Sequence, residues 1–125
     1  MRRLLRAEGC SEDVEVSLLL TSDERIRELN RRYRDIDRPT DVLAFSQLRE
    51  GTQPGEAVGA IGDVVISVET AKRQAQERGK DPDDEMELLV AHGLLHLLGY
   101  DDESGCGAEE MKRRITAVFG SEIAR

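Results

Sequence analysis

The segment from Asp81 to Gly99 does most to limit the folds open to this chain, because it carries the start and stop signals of a long helix. Asp81 is a favoured N-cap residue, and Pro82 follows at the first helical position, where its fixed φ suits a helix. Gly99 comes directly after an apolar run, as glycine commonly does just past a helix end. The pattern therefore predicts a helix from Pro82 to Leu98.

The same segment holds the only two histidines of the chain, His92 and His96. Positions four apart lie on one face of an α-helix, so both imidazoles can reach the same ion. Gly99 reverses the chain, and Asp102 follows close enough for the segment to fold back over the helix end. Two imidazoles and a carboxylate can form three sides of a divalent metal site, which would acidify a bound water and polarise a phosphoryl or carbonyl oxygen. The alternative is that both are buried imidazoles whose nitrogens are satisfied by backbone carbonyls, but the glycine turn and the following carboxylates favour a metal.

Strands and helices alternate around this segment. Strands are predicted at residues 14–20, 41–46 and 61–67 from their alternation or β-rich composition. Further helices are predicted at residues 22–34, 68–78 and 107–119. Thr21 and Glu24 fit the capping box that starts the first of these helices, with Thr21 as N-cap, and Gly79 ends the second. This order predicts an α+β fold, a small mixed β-sheet covered by helices, in a single domain spanning residues 1–125.

Charge and composition exclude some classes of protein. The net charge of −8 argues against non-specific nucleic-acid binding by bulk charge. Residues 1–38 are balanced, with nine basic and nine acidic side chains, so the excess of negative charge lies in residues 39–125 and a locally basic face remains possible. No apolar run approaches the roughly 20 residues of a membrane span.

The first ten residues are basic and lack the apolar stretch of a signal peptide, so we expect a cytoplasmic protein. In that reducing compartment Cys10 and Cys106 are expected to be free thiols.

One familiar use of such a helix is the zinc protease, whose motif H-E-x-x-H supplies a glutamate as general base. Here Gly93 occupies the glutamate position and can do no acid–base chemistry. The longer spacing, which continues through Gly99 to Asp102, nevertheless matches an extended metzincin-type pattern. A metzincin-like metallopeptidase with a base from elsewhere is therefore one alternative.

The segment HGLLHLLGYDD (residues 92–102) closely resembles the signature of the YbeY family, H-G-x-L-H-L-x-G-Y-D-H. Two further segments resemble family blocks in the same order: NRRYRDIDRPTDVLAF (residues 30–45) and GDVVIS (residues 62–67). The similarity runs from about Val14 to Gly120, and the start looks shortened relative to the family. Ala44 and Ser46 depart from the family's usual serine and proline, on a strand expected beside the cleft.

The resemblance implies a metal-dependent single-strand endoribonuclease that acts in ribosomal RNA maturation, notably at the 3′ end of the small-subunit RNA, and in ribosome quality control. The implied partners are single-stranded RNA, ribosomal RNA and the small ribosomal subunit or its proteins, with no membrane and no DNA. Arg34 matches an arginine considered functional in the family, and its guanidinium can make two charge-assisted bonds to a phosphodiester. The other arginines of residues 25–38 are interpreted as a solvated face.

The family's metal, generally taken to be Zn²⁺, is held by three histidines, of which His92 and His96 carry over directly. Asp102 stands where the family has the third. A carboxylate ligand lowers the charge of the site and shifts its preference toward harder ions such as Mn²⁺ or Fe²⁺. Glu103, Cys106 or no protein group at all are the alternatives for the third position. The missing histidine also leaves open a second alternative function, a non-catalytic ribosome-associated binding module.

Overall fold

A computed structural model describes residues 2–100 and 105–119 of the chain, with side chains from residue 107 onward in the second stretch. The elements in chain order are α1 (Arg2–Ala7), β1 (Val14–Thr21), α2 (Asp23–Arg34), β2 (Val42–Ser46), a 3₁₀ turn (Pro54–Glu56), β3 (Gly59–Ser67), α3 (Val68–Arg78), α4 (Pro82–Leu97) and α5 (Gly105–Phe119). The predicted α+β class is confirmed.

The sheet has three strands in the order β1-β3-β2, so β3 is central. It pairs in parallel with β1 and antiparallel with β2, which makes the sheet mixed, as predicted. The register beside β1 contains a bulge, because Glu15 pairs with Ala60 whereas Val16 pairs with Gly62. Ile61 is thus the extra residue, and a bulge of this kind increases the local twist of the strand.

Side chains alternate along β3, so its two faces pack against different helices. Val64 and Ile66 belong to the main core, which includes Leu94 of α4. Val65 belongs to a smaller cluster with Ile26 of α2. Helices α2 and α4 therefore lie on opposite faces of the sheet. Leucines of α1, an alanine of α3 and two apolar residues of α5 join the main core, so α4 is enclosed by protein on most of its circumference.

Two glycines allow α4 to approach the sheet closely. A Cβ atom at Gly93 would lie 2.5 Å from Cγ1 of Val64 and 3.3 Å from Cγ2 of Val42. A Cβ atom at Gly62, whose φ is +151°, would lie 2.4 Å from the carbonyl oxygen of Phe45 and 2.6 Å from a methyl carbon of Leu97. No side chain fits at either position without movement of the backbone or of core residues. These contacts also show that α4 ends at the same end of the sheet as β2.

The start of α2 differs by one residue from the sequence prediction. Ser22, not Thr21, is the N-cap, and its side chain accepts a hydrogen bond from the backbone N–H of Arg25. Thr21 instead continues β1 and pairs with Ser67, because a β-branched residue with a ladder partner is better placed in a strand than at a helix cap. Ser22 is an equally good capping residue, so the helix starts one position later.

Asp23 ties the N-terminus of α2 to that of α3. Its carboxylate accepts hydrogen bonds from the hydroxyls of Ser67 and Thr70, and Arg73 forms an ion pair with it at 2.9 Å. The hydrogen bond from Ser67 is the largest reason that the pKa of Asp23 lies below its usual value, followed by that from Thr70. The cluster connects the starts of the two helices at the end of the sheet opposite to the one where α4 ends.

Helix α1 was not predicted from the sequence. It has only six residues and no acidic residue in its first turn, yet Leu4 and Leu5 are buried in the main core. Arg3 donates a 2.7 Å hydrogen bond to the carbonyl oxygen of Val118, which holds α1 against α5. Tertiary packing rather than a local signal therefore explains this helix.

Several other expectations can be compared directly. Helix α4 is capped by Asp81, as predicted, and ends at Leu97, one residue earlier than expected. Gly79 ends α3 with a left-handed φ of 64°, also as predicted. Cys10 is a buried free thiol. In the stretches 2–100 and 105–119, no helix is both long and apolar enough to cross a membrane.

Candidate functional site

His92 and His96 lie one turn apart near the C-terminus of α4, and both are half-buried. The residues between them, Gly93 to Leu95, are buried against the sheet and the surrounding helices. The spacing of four places both imidazoles on one face of the helix. The core therefore holds the helix that carries them in place, as a site that must position two ligands requires.

A cavity of about 450 Å³ opens beside His96 at the end of α4. Its walls are the end of β2 at Ser46, the loop of residues 48–54, and the segment from His96 to Tyr100. Its size lies within the range of about 300–1,000 Å³ that is typical of ligand sites. His96 thus faces a space large enough for part of a substrate.

Ser46 joins the two main walls of this cavity. Its hydroxyl donates a 2.9 Å hydrogen bond to the carbonyl oxygen of Leu97 and accepts one from the backbone N–H of Leu48. The Leu97 carbonyl is one of the last of α4 and has no partner within the helix. The serine at this position, one of the departures from the family pattern, makes a bond to the helix end that a proline could not make.

The loop between β2 and β3 contributes polar groups that the sequence analysis missed. Arg49, Glu50 and Gln53 line the cavity together with His96. This segment was interpreted only as a loop because its glycines and Pro54 form no motif. The one available signal was an arginine three residues after the strand predicted to lie beside the cleft.

Tyr100 anchors the chain just after the histidine helix. Its hydroxyl donates to the carboxylate of Glu8, and Arg114 pairs with the same carboxylate at 3.0 Å. The guanidinium of Arg114 also lies over the Tyr100 ring, 5.2 Å from its centre. Burial, followed by the hydrogen bond to Glu8 and the negative charge of Glu8, raises the pKa of Tyr100 to about 12. The residue from which the chain continues toward Asp102 is therefore fixed to Glu8, which directly follows α1, and to α5.

Arg34 is the exposed last residue of α2, on the other side of the sheet from α4. Its neighbour Tyr33 makes an edge-to-face contact with Phe45, with ring centres 5.3 Å apart. Phe45 precedes Ser46, which contacts α4. The structure therefore brings His92 and His96 together on one helix and places Arg34 across strand β2, at the same end of that strand as the cavity.

The expected third ligand cannot be compared in the same way. Asp102 and Glu103 lie outside the described residues, as does the side chain of Cys106. Within the parts of the chain that are described, no three His, Cys, Asp or Glu side chains lie together as a metal-binding group. The two imidazoles fit a divalent ion as nitrogen donors, and the remaining ligands would have to come from residues outside the described stretches or from outside the protein. The ligand set stays a prediction.

The surroundings of Gly93 bear on the peptidase alternative. A Cβ atom at this position points into Val64 and Val42 of the sheet. A glutamate in that direction would place its carboxylate in the apolar core rather than at the cavity beside His96. Position 93 therefore cannot carry the general base of a zinc protease in this fold.

Comparison with known proteins identifies the family. The model of the family described as Endoribonuclease YbeY matches residues 1–121. A protein of Heliobacterium modesticaldum named Endoribonuclease YbeY is 50% identical over 110 residues, which cover 82% of this chain and 64% of the relative. One of the same name from Moorella thermoacetica is 46% identical over 120 residues, which cover 90% and 76%.

A solved structure is also similar. The solution structure of a Thermotoga maritima protein matches with a TM-score of 0.59 and 31% identity, covering 95% of this chain and 76% of that one. The expected resemblance is thereby confirmed, and neither the metallopeptidase nor the non-catalytic module is favoured. The chain belongs to the YbeY family of endoribonucleases.

Proposed function

We propose that this chain is a metal-dependent endoribonuclease that hydrolyses single-stranded RNA during ribosomal RNA maturation. The names of its relatives support the nuclease class, although the alignment spans only 64% of the length of the Heliobacterium protein. The observation that carries the proposal is the position of His96, half-buried in the wall of a 450 Å³ cavity at the end of an edge strand. An unpaired strand can present a single nucleotide to a cavity of this volume, whereas the bases of a duplex are paired and stacked inside the helix.

His92, His96 and Asp102 are the proposed metal ligands, with Zn²⁺ as the first candidate ion and Mn²⁺ or Fe²⁺ as the next. A bound divalent ion would supply Lewis-acid stabilisation of the phosphoryl oxygens and lower the pKa of water. Two imidazoles that are already held in position bind an ion more tightly because less ordering is needed, and the burial of α4 around the histidines supports this role.

Two arginines are assigned to phosphate groups. Arg49 lines the cavity with His96, so its guanidinium is placed to pair with the phosphodiester that is cut. Arg34, at the same end of β2 as the cavity, is proposed to bind a phosphate of the same strand, in the functional role that the family resemblance implies. Because the net charge of the chain is −8, these local cations rather than bulk charge would attract RNA.

Ribosomal RNA, the small ribosomal subunit and its proteins are the proposed partners, and the cytoplasm is the proposed location. Residues 1–125 are proposed to form a single endoribonuclease domain. These assignments rest on the family and on no contact within the chain.

Metal content tests the ligand set. The parent protein, Asp102→Ala, His92→Ala and the control Glu87→Ala, purified without chelators, are analysed by plasma mass spectrometry. Glu87 is exposed and nine residues from His96, which places it on the opposite side of α4. We expect about one equivalent of metal in the parent and the control, and less in the other two.

Each departure from that result has a defined meaning. Full occupancy in Asp102→Ala would move the third ligand to Glu103 or Cys106, and the corresponding alanine variants would then be compared. A parent protein that holds no metal, even after Zn²⁺ or Mn²⁺ is added back, would contradict the metal-dependent mechanism.

A further inference from the structure

Tyr33 is an aromatic residue with an unusual degree of exposure. The chain has two tyrosines and two phenylalanines, and the other three are partly buried, whereas 62% of Tyr33 is exposed. The spacing of Ile26, Leu29 and Tyr33 puts all three on one face of the helix. Ile26 is fully buried and Leu29 half-buried, but Tyr33, farther along the same face, is mostly exposed.

The ring is nevertheless held in place. It meets the ring of Phe45 at 66°, in an edge-to-face contact with centres 5.3 Å apart. Such a contact occupies one side of the tyrosine ring and fixes its orientation, and the 62% exposure of Tyr33 leaves much of the side chain open to solvent. A fixed and open aromatic surface is what a stacking partner requires.

The side chains around this ring carry positive charges, and only some of these charges are neutralised by carboxylates. Arg25 and Arg27 form ion pairs with Glu28 and Asp37, respectively. Four further arginines are exposed, and none of them forms an ion pair within the described part of the chain: Arg31, Arg32, Arg34 and Arg38. Asp35 lies in the same turn, but the pairing of Asp37 with Arg27 removes the second nearby negative charge.

Contacts connect this ring to the candidate active site. Tyr33 contacts Phe45, and Ser46, the next residue of β2, donates a hydrogen bond to the carbonyl of Leu97. Ser46 and Leu97 both line the cavity that contains His96. A strand of nucleic acid that leaves the cavity across the end of β2 would therefore meet Tyr33 next.

We infer that Tyr33 is a stacking platform for an unpaired RNA base adjacent to the cleavage site, with Arg32 and Arg34 placed to bind the neighbouring phosphates. The inference rests on the proposed function, because it assigns part of the same substrate. Aromatic side chains beside cationic groups bind single strands with little sequence preference, since every base has a π-face to stack. The platform would therefore select unpaired RNA rather than a particular sequence.

Equilibrium binding tests this platform separately from cleavage. The probe is a fluorescein-labelled 12-nucleotide single strand with 2′-O-methyl riboses, checked by gel to remain intact, and the readout is fluorescence anisotropy. We expect Tyr33→Leu and Tyr33→Gln to weaken binding about 5- to 150-fold, the loss typical of one stacked base. Tyr33→Phe should stay within about twofold of the parent because it keeps the ring. The matched control is Leu19→Ala, an exposed residue on the opposite edge strand.

A scan with abasic nucleotides gives a second readout that a structural role would not change. In the parent, one abasic position should weaken binding as much as Tyr33→Leu does, and combining the two should add little. Unchanged affinity in Tyr33→Leu, in a parent that binds and cleaves RNA, would overturn the platform and leave the proposed function intact. A parent that neither binds nor cleaves single-stranded RNA would overturn both.

Discussion

Replacing Gly93 by alanine tests the close contact between α4 and the sheet. The added methyl carbon would lie 2.5 Å and 3.1 Å from the two Cγ atoms of Val64 and 3.3 Å from Cγ2 of Val42. Ordinary contacts between such atoms are 3.4–4 Å, so the helix or the valines must retreat by about 1 Å. Val64 is fully buried, and α4 is packed on its other sides, so neither has free space to move into.

The expected size of the effect follows from two opposing contributions. Alanine is favoured over glycine in a helix interior by about 1 kcal/mol. Overpacking of a dense core costs about 1–3 kcal/mol. Because the added methyl group would meet Val64 of β3 and Val42 of β2 at once, we expect a cost at the upper end of that range. We therefore expect the free energy of unfolding to fall by about 2 kcal/mol, which lowers the melting temperature by roughly 6–10 °C in a domain of this size.

Urea denaturation of Gly93→Ala, Val64→Ala and the double variant measures this effect. Val64→Ala removes both of the nearest carbon atoms, so the two changes together should destabilise by about 1–2 kcal/mol less than the sum of the single variants. The exposed control Glu87→Ala should stay within about 0.5 kcal/mol of the parent. A Gly93→Ala protein that is about 1 kcal/mol more stable than the parent would contradict the close packing at Gly93, because helix propensity alone would then explain the change in stability.

The lowered pKa of Asp23 gives a stability contribution that is present above about pH 4, its unfolded value, and is lost as the pH falls through the folded value. The stability difference between the parent and Asp23→Asn, from urea denaturation, should therefore shrink between pH 7 and pH 2; a constant difference would contradict this. The pKa of Tyr100, raised to about 12 from about 10, implies stability that is present below pH 10 and lost as the pH rises through 12. An absorbance titration should show one tyrosine with a pKa of about 12 that is absent from Tyr100→Phe. Ser46→Ala should cost about 1 kcal/mol in thermal or urea unfolding, because the Leu97 carbonyl loses its donor; no change would show that water replaces the hydroxyl.

Much of the fold could be predicted because its signals are local. The N-cap Asp81, Pro82 and the left-handed glycines fix the ends of α3 and α4 through interactions within a few residues. The shift of the α2 N-cap from Thr21 to Ser22 shows where local signals no longer determine a helix boundary. Two adjacent residues were both able to cap, and the choice depended on a strand partner, Ser67, that is distant in sequence.

The site was predictable to a similar extent. The pair His92 and His96 follows from helical spacing alone, and the resemblance supplied Arg34. The contribution of Arg49 to the cavity depends on the path of a loop. The position of Arg34 across β2 depends on the strand order and on which face α2 covers, and no local pattern reports either.

Cleavage of single-stranded RNA is the most direct test of the central claim. The parent, His96→Ala and Glu87→Ala are incubated with a labelled RNA lacking secondary structure and, in parallel, with casein, each with added Zn²⁺ or Mn²⁺. The account predicts that the parent and Glu87→Ala cut the RNA, that a chelator abolishes cutting, that His96→Ala loses it, and that casein stays intact. Cleavage of casein that depends on His96, or RNA cleavage that is unchanged in His96→Ala, would contradict the account.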